Sequence, residues 1–134
     1  MRFMMIMFPG PEGESDRMPE KADHDRMGKY NEELVKAGVL LGADGLHPTK
    51  RGWRVTAKGG KNVVVDGPFT ESKEIVGGFW TIQVKSREEA LEWSRKIPLT
   101  GAETVEVRQC HEPEDFGDAL DPKHAALERK LQNR

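Results

Sequence analysis

The segment from residue 2 to residue 8 most constrains the fold, because every position after the first is apolar. The two faces of a strand over this segment carry Phe3, Met5 and Met7, and Met4, Ile6 and Phe8. A strand with two apolar faces is expected to be covered on both sides. The chain must therefore supply helices for one face of its sheet and a different cover for the other.

The apolar pattern after this strand alternates between the periods of helices and strands. Met27, Tyr30 and Leu34 recur at three- and four-residue steps. They predict a helix with Pro19 in its first turn that ends at Gly38. The later elements follow as a strand from 39, a hairpin turning at 59–60, a strand at 79–84, a helix from 86 to 98 and a strand at 104–110. A capping box of Ser86 and Glu89 opens the second helix.

This order predicts an α+β, ferredoxin-like βαββαβ domain over residues 1–110, with an inserted β-hairpin. Two helices cover only one face of its sheet, so we expect a homodimer to cover the other. The C-terminal extension, 111–134, competes for that role. Asp121 can cap a short helix there, whose apolar stripe is Leu120, His124, Leu127 and Leu131. We favour the dimer, with this helix across it or over its rim.

Charge and composition exclude several classes of protein. Lysine, arginine, aspartate and glutamate are mixed along the chain to a net charge of −2, without the basic block of a nucleic-acid-binding protein. Cys110 is the single cysteine, which excludes an internal disulfide and is compatible with a reducing compartment. No segment has the length of a membrane span, and the apolar start is too short for an export signal. We therefore predict a cytoplasmic location.

Residues 66–80 form the most unusual stretch. The β-branched run Val63 to Val65 predicts a strand that stops at Asp66-Gly67-Pro68, since Asp-Gly favours a turn and proline lacks an N–H. Charged and hydroxyl residues follow, and then two glycines that indicate a bulge or a close backbone approach. A second strand begins at Phe79 and Trp80. Such a long exit from a strand indicates a functional loop.

The nine residues Asp-Gly-Pro-Phe-Thr-Glu-Ser-Lys-Glu at 66–74 resemble the signature of DGPF-domain proteins, within the YCII-related group. Segments 27–41, 45–48 and 88–93 resemble other recurring stretches of that family. The resemblance implies a ferredoxin-like, dimeric α/β-barrel type of fold. In the wider group a histidine and an aspartate are suggested as an acid–base pair. Here Met27 and Ile97-Pro98 stand near those positions, so that pair is not transferred to this chain.

Asp66 and His47 are the candidate catalytic residues. A carboxylate at a strand end can act as a base if burial raises its pKa. Alternatively, Asp66 accepts N–H bonds from residues 67–69 as an Asx turn. His47 precedes Pro48 at a strand end, and histidine titrates in the useful range. Its alternative role is structural, bonded to a loop carbonyl.

The candidate ligand-binding residues all belong to the 66–80 stretch. Glu71, Lys73 and Glu74 can orient an anionic substrate from a single turn, or form a solvated surface turn with weak ion pairs. Phe69, Phe79 and Trp80 can line an apolar pocket together with Trp53, or pack in the core. No nucleotide loop and no zinc or calcium spacing is present, so neither a cofactor nor a metal is predicted.

Two functions remain open from the sequence. The first is a small cofactor-free enzyme of proton-transfer chemistry, or a small-molecule-binding protein, with its pocket near the 66–74 loop. The second is a non-catalytic regulatory or interaction module. Some family members are encoded beside extracytoplasmic-function sigma factors, which suggests a regulatory setting. Convergence of Asp66, Lys73 and His47 around a cavity favours the first, and exposed side chains beside an apolar patch favour the second.

Overall fold

The computed structural model describes residues 1–15 and 18–132. Its strands are β1 (Arg2–Phe8), β2 (Leu40–Gly45), β3 (Trp53–Lys58), β4 (Lys61–Asp66), β5 (Gly78–Gln83) and β6 (Thr104–Gln109). Its α-helices are α1 (Lys21–Lys36), α2 (Arg87–Arg95) and α3 (Pro122–Gln132). Short 3-10 segments lie at Pro11–Glu14, Thr49–Arg51, Ser72–Glu74 and Pro113–Ala119.

The main sheet has four strands in the order β2-β5-β1-β6, and each neighbouring pair is antiparallel. The two strands that follow helices lie at opposite edges, β2 after α1 and β6 after α2. This topology is that of the ferredoxin-like βαββαβ plan, so the predicted fold class is confirmed. The hairpin β3–β4 is inserted between β2 and β5 and forms a separate two-stranded sheet.

The core lies between α1, α2 and the inner face of the sheet. Met5, Leu34 and Ile82 are its largest fully buried side chains. Tyr30 is also buried, and its hydroxyl donates to the carbonyl oxygen of Trp93 at 2.8 Å. Burial raises the pKa of the Tyr30 phenol well above its ordinary value, and the nearby Glu33 carboxylate adds to this. The phenol therefore stays a neutral donor inside the core.

The outer face of the sheet carries the second apolar side of β1. Met4, Ile6 and Phe8 are half-buried there, whereas Phe3 and Met5 on the inner face are buried. Phe79 of β5 lies on the same outer face, directly opposite Ile6. The sheet thus has two apolar faces, as predicted, and its outer one is less well covered.

The ends of α1 follow two different local rules. The helix begins at Lys21 after Glu20, so the predicted place of Pro19 in its first turn is wrong. The C-terminal prediction is confirmed. Gly38 adopts φ 71°, its N–H donates to Val35, and the next N–H, of Val39, donates to Leu34. This is a Schellman motif, which requires the left-handed conformation that glycine adopts without strain.

The cap of α2 is close to the predicted one. The Ser86 hydroxyl accepts the N–H of Glu89 at 3.1 Å, as expected. The Glu89 carboxylate accepts the N–H of Lys85 at 2.9 Å, one residue before the position that a capping box uses. The helix buries Ala90 in the core and leaves Leu91 exposed.

The described part of the C-terminal extension, called the tail (residues 111–132), forms the predicted helix α3. Asp121 caps it by accepting the N–H of Lys123 at 2.8 Å. Two ion pairs hold the tail, Arg2 with Glu112 at 3.0 Å and Arg129 with Glu114 at 3.1 Å. The apolar stripe of α3 stays uncovered, with Leu127 and Leu131 exposed. Residues 133 and 134 lie outside the described residues, and the domain boundary at 110 stays a prediction.

No helix within residues 1–15 and 18–132 is long and apolar enough to cross a membrane.

Candidate functional site

An open cleft of about 900 Å³ lies at one end of the main sheet. Its walls come from four segments, namely the loop after β1, the start of α1, residues 46–51 after β2 and residues 100–103 before β6. The volume falls within the roughly 300–1,000 Å³ that is typical of sites for small molecules. This cleft is therefore the candidate site.

Gly77 forms the floor of the cleft and joins two of its walls. Its N–H donates to Met7 at 2.8 Å, and its carbonyl oxygen accepts the N–H of Leu46 at 2.9 Å. A Cβ at this position would lie 2.7 Å from Cγ of Pro9, which is too close for any side chain. The close backbone approach predicted from the two glycines is confirmed.

His47 and Arg51 form a pair on one wall. Nη1 of Arg51 lies 3.1 Å from Nε2 of His47, because the 3-10 turn Thr49–Arg51 brings the two side chains together. A guanidinium only donates, so Nε2 of His47 is the acceptor in this contact. The wall thus presents an exposed guanidinium beside an imidazole nitrogen that can accept a hydrogen bond.

Two acidic groups of the cleft, Glu103 and Asp23, are already engaged. Glu103 accepts from the N–H of Thr100 at 2.6 Å and from its hydroxyl at 3.0 Å. Partial burial acts to raise the pKa of the Glu103 carboxyl, but these hydrogen bonds outweigh it and hold the pKa below its ordinary value. Asp23 pairs with Arg26. The Glu103 carboxylate therefore holds the 100–103 wall in place and is not poised as a base near neutral pH.

A hydrogen-bonded clamp ties the 66–69 loop to the back of the His47 wall. The N–H of Gly67 donates to Gly52 at 3.0 Å, and the N–H of Phe69 donates to the Thr49 hydroxyl at 3.0 Å. Thr49 in turn donates its N–H to Glu14 at 3.0 Å, and its hydroxyl donates to the same carboxylate. Three segments of the chain therefore meet at Thr49.

The predicted Asx turn at Asp66 is wrong. The N–H groups of Gly67 and Phe69 donate elsewhere in the clamp, and Pro68 has none to offer. Asp66 is exposed at the end of β4, opposite Trp53, and does not line the cleft. A catalytic role for Asp66 stays a prediction that the cleft geometry does not support.

The charged residues of the 66–74 signature do not converge on the cleft either. Glu71, Lys73 and Glu74 are exposed on and beside the 3-10 turn Ser72–Glu74. Of the two predicted catalytic residues, His47 alone lines the cleft. Ligand binding by this turn stays a prediction.

The predicted aromatic residues separate into three environments. Trp80 is buried in the core, with its ring edge-on to Tyr30 at 5.9 Å and its Nε1 donating to Asn31 at 2.8 Å. Phe79 lies on the outer face of the sheet. Phe69 is half-buried under the Arg54 guanidinium, at 3.8 Å from its ring centroid. These rings do not form one pocket, and core packing explains Trp80.

Sequence reasoning missed Arg51, Thr49 and Glu14. The signal that could have identified Arg51 is its spacing of four residues from His47. Glu14 and Thr49 are 35 residues apart, and no local pattern joins them. Contacts of that separation depend on the whole topology.

The clamp makes a testable prediction at Thr49. Thr49→Val keeps the shape but removes the hydroxyl that bonds both Phe69 and Glu14, so we expect a loss of about 1–3 kcal/mol. Urea unfolding measures this loss, and amide exchange should become faster at Phe69. Thr49→Ser retains the hydroxyl and is the matched control. Equal stability of the valine and serine variants would contradict the clamp.

Comparisons with known proteins give a family match and two similar proteins. Residues 1–116 match the YCII-related domain. An uncharacterised protein of Rhizobium meliloti (strain 1021) is 35% identical over 85 residues, covering 60% of this chain and 68% of that protein. The solved structure of 5-chloro-2-hydroxyhydroquinone dehydrochlorinase from Burkholderia phenoliruptrix AC1100, in complex with 2,5-dihydroxybenzoquinone, is 19% identical with a TM-score of 0.42. That match covers 90% of this chain and all (100%) of that one.

Proposed function

Because the chain belongs to the YCII-related domain family, we propose that its cleft is a site for a small anionic molecule with an apolar body, and that His47 is the base of a cofactor-free proton transfer there. The observation that carries this proposal is the pair of His47 and Arg51 on the cleft wall, 3.1 Å apart. The pair joins an anion-binding group to a titratable base.

The pairing couples ligand binding to proton transfer. A guanidinium binds a carboxylate or phosphate through two parallel hydrogen bonds, so an anionic ligand competes with His47 for Arg51. Once Arg51 binds the ligand instead of His47, the lone pair on Nε2 of His47 is free to accept a proton from the ligand. Leu46, Pro48 and Ala102 on the cleft walls contact the apolar body of the ligand. Asp66 lies outside the cleft and takes no part in this step.

Nuclear magnetic resonance titration with benzoate and with inorganic phosphate tests the proposal. We expect amide shifts at 46–51 and 100–103 with benzoate, which supplies both a carboxylate and an apolar ring. Arg51→Ala should weaken benzoate binding by about tenfold to a hundredfold, the equivalent of one charge-assisted hydrogen bond. Arg95→Ala, on the exposed side of α2, is the control and should bind as the wild type does. Shifts confined to 66–74, or unchanged binding by Arg51→Ala, would contradict the cleft site.

The second candidate function is a non-catalytic interaction module, and the exposed hairpin favours it. Trp53, Val55 and Val64 are large apolar side chains in water, as expected of a surface for a partner protein. This function would be favoured if neither benzoate nor phosphate shifted the amide signals of the cleft residues while a partner protein bound to the hairpin.

The proposed setting for either function is a cytoplasmic homodimer. The half-buried outer face of the sheet, with Met4, Ile6 and Phe8, supports a sheet-on-sheet contact between two copies. Cys110 as the single cysteine is consistent with a reducing compartment.

A further inference from the structure

We propose that the ligand of the cleft is a small amphoteric molecule, with a carboxylate bound by Arg51 at one end and a protonated amine bound by Glu20 and Glu103 at the other. This inference rests on the proposed function and specifies the chemistry of its ligand. It follows from the charges on the cleft walls, which have opposite signs on different walls.

The positive charge of the cleft lies on a single wall. Lys50 and Arg51 line the cleft from the segment after β2, and both side chains are exposed. The sequence of this segment, residues 46–51, contains no aspartate or glutamate. An anionic group of a ligand is therefore attracted to this wall, where a guanidinium can bind it through two hydrogen bonds.

The carboxylates of the cleft come from the other side, from the start of α1 and from the segment before β6. Asp23 of α1 is balanced by its ion pair with Arg26. Glu20 is exposed at the cleft, and within the described part of the chain its side chain makes no cap hydrogen bond to α1. Glu103 is bonded to Thr100, and those bonds favour its ionised form without removing its charge. Glu20 and Glu103 therefore keep a negative charge for a ligand to meet.

The sheet topology separates the positive wall from the Glu103 wall. The pairing register aligns Gly45 of β2, Gly78 of β5, Met7 of β1 and Val105 of β6 in one row across this end of the sheet. Three strand spacings of about 4.8 Å place the two ends of the row roughly 14 Å apart. The walls continue from these two ends, so a molecule of one ring or a short chain can reach both.

Charges of opposite sign on the two sides discriminate between anions. A protonated amine at the far end of the ligand pairs with Glu20 and Glu103, whereas a second anionic group there is repelled by them. The cleft is open to water, so each such pair contributes modestly. The favoured ligand therefore carries one charge of each sign, with its apolar body between them.

Nuclear magnetic resonance titration with three ligands that share one ring tests this selection. At neutral pH benzoate carries one negative charge, 4-(aminomethyl)benzoate carries one charge of each sign, and terephthalate carries two negative charges. We expect 4-(aminomethyl)benzoate to bind about threefold to tenfold more tightly than benzoate, the range for one or two exposed ion pairs, and terephthalate to bind more weakly than benzoate. Amide shifts at 19–23 should appear with 4-(aminomethyl)benzoate and not with benzoate.

Variants that remove charge assign the preference to the two carboxylates. Glu20→Gln with Glu103→Gln should raise the Kd of 4-(aminomethyl)benzoate to that of benzoate, and benzoate itself should bind at least as tightly as before. Glu20→Gln alone, at an exposed position, should reduce the preference and serves if the double variant does not fold. Glu88→Gln, an exposed carboxylate in the first turn of α2, is the matched control and should keep the preference of the wild type.

The outcomes separate this inference from the proposed function. Equal Kd values for benzoate and 4-(aminomethyl)benzoate, with both ligands shifting the cleft amides, would overturn the charge selection and leave the anion site in place. A preference for 4-(aminomethyl)benzoate that survives the removal of both carboxylates would also overturn it. If none of the three ligands shifts the cleft amides, the proposed function is overturned together with the selection.

Discussion

Gly67→Ala should destabilise the protein by about 3 kcal/mol, the upper end of the range for overpacking. A Cβ at Gly67 would lie 1.9 Å from the carbonyl oxygen of Thr49 and 2.7 Å from its carbonyl carbon. Both are backbone atoms, so no side-chain rotation relieves the overlap. The turn at 49–52 must move away, which breaks the hydrogen bonds from Gly67 to Gly52 and from Phe69 to Thr49.

Urea unfolding measures this effect, and Gly45→Ala is the matched control. A Cβ at Gly45 would meet no atom within 4 Å, so its replacement should change stability by less than about 0.5 kcal/mol. Benzoate binding should also weaken in Gly67→Ala, because the displaced turn carries Arg51. Similar stability of the two variants would show that the loop at 66–69 is free to move away from Thr49.

The 66–69 part of the signature holds the turn at 49–52 in position. Gly67 is needed because its backbone passes against the turn at 49–52, and Phe69 contributes its N–H to Thr49. The motif therefore acts mainly through backbone contacts that position the wall of the cleft. Its side chains at Asp66 and Lys73 face solvent and are not needed for that role.

The fold could be predicted from the sequence because its signals are local. The continuous apolar run of β1, the helical period of α1 and the glycine at 38 each depend on a few neighbouring residues. Order along the chain then leaves few topologies. The predicted start of α1 is misplaced. Proline is favoured at the first helical position, but this preference does not force a helix to begin there. In this chain the N-cap residue of α1 is Glu20, one residue after Pro19.

The candidate site could be predicted only in part, because the hydrogen-bond acceptors that compete with the Asp66 side chain lie far away in the sequence. Asp before Gly favours an Asx turn locally, yet Gly52 and Thr49 take the N–H groups that such a turn would use. Whether Trp80 lines a pocket or packs in the core depends on which face of β5 the helices cover. The strand pattern alone shows that Trp80 and Phe79 face opposite ways, but not which one is inside.

Trp80→Ala should destabilise the protein by about 3–5 kcal/mol, as large-to-small changes at buried aromatic positions do. Trp80 is 5% exposed and contacts the Tyr30 ring edge-on at 5.9 Å. Its Nε1 also donates to Asn31 at 2.8 Å, so truncation leaves both a cavity and an unpaired amide oxygen. Equilibrium unfolding in urea, followed by circular dichroism, measures the loss.

Trp53→Ala is the control of the same residue type. Trp53 is 64% exposed, so in dilute, monomeric protein its truncation should change stability by less than about 0.5 kcal/mol. Trp80→Phe, which keeps an aromatic ring in the core, should bind benzoate as the wild type does. A folded Trp80→Phe protein that loses benzoate binding would contradict the core assignment, because it would mean that the indole contacts the ligand.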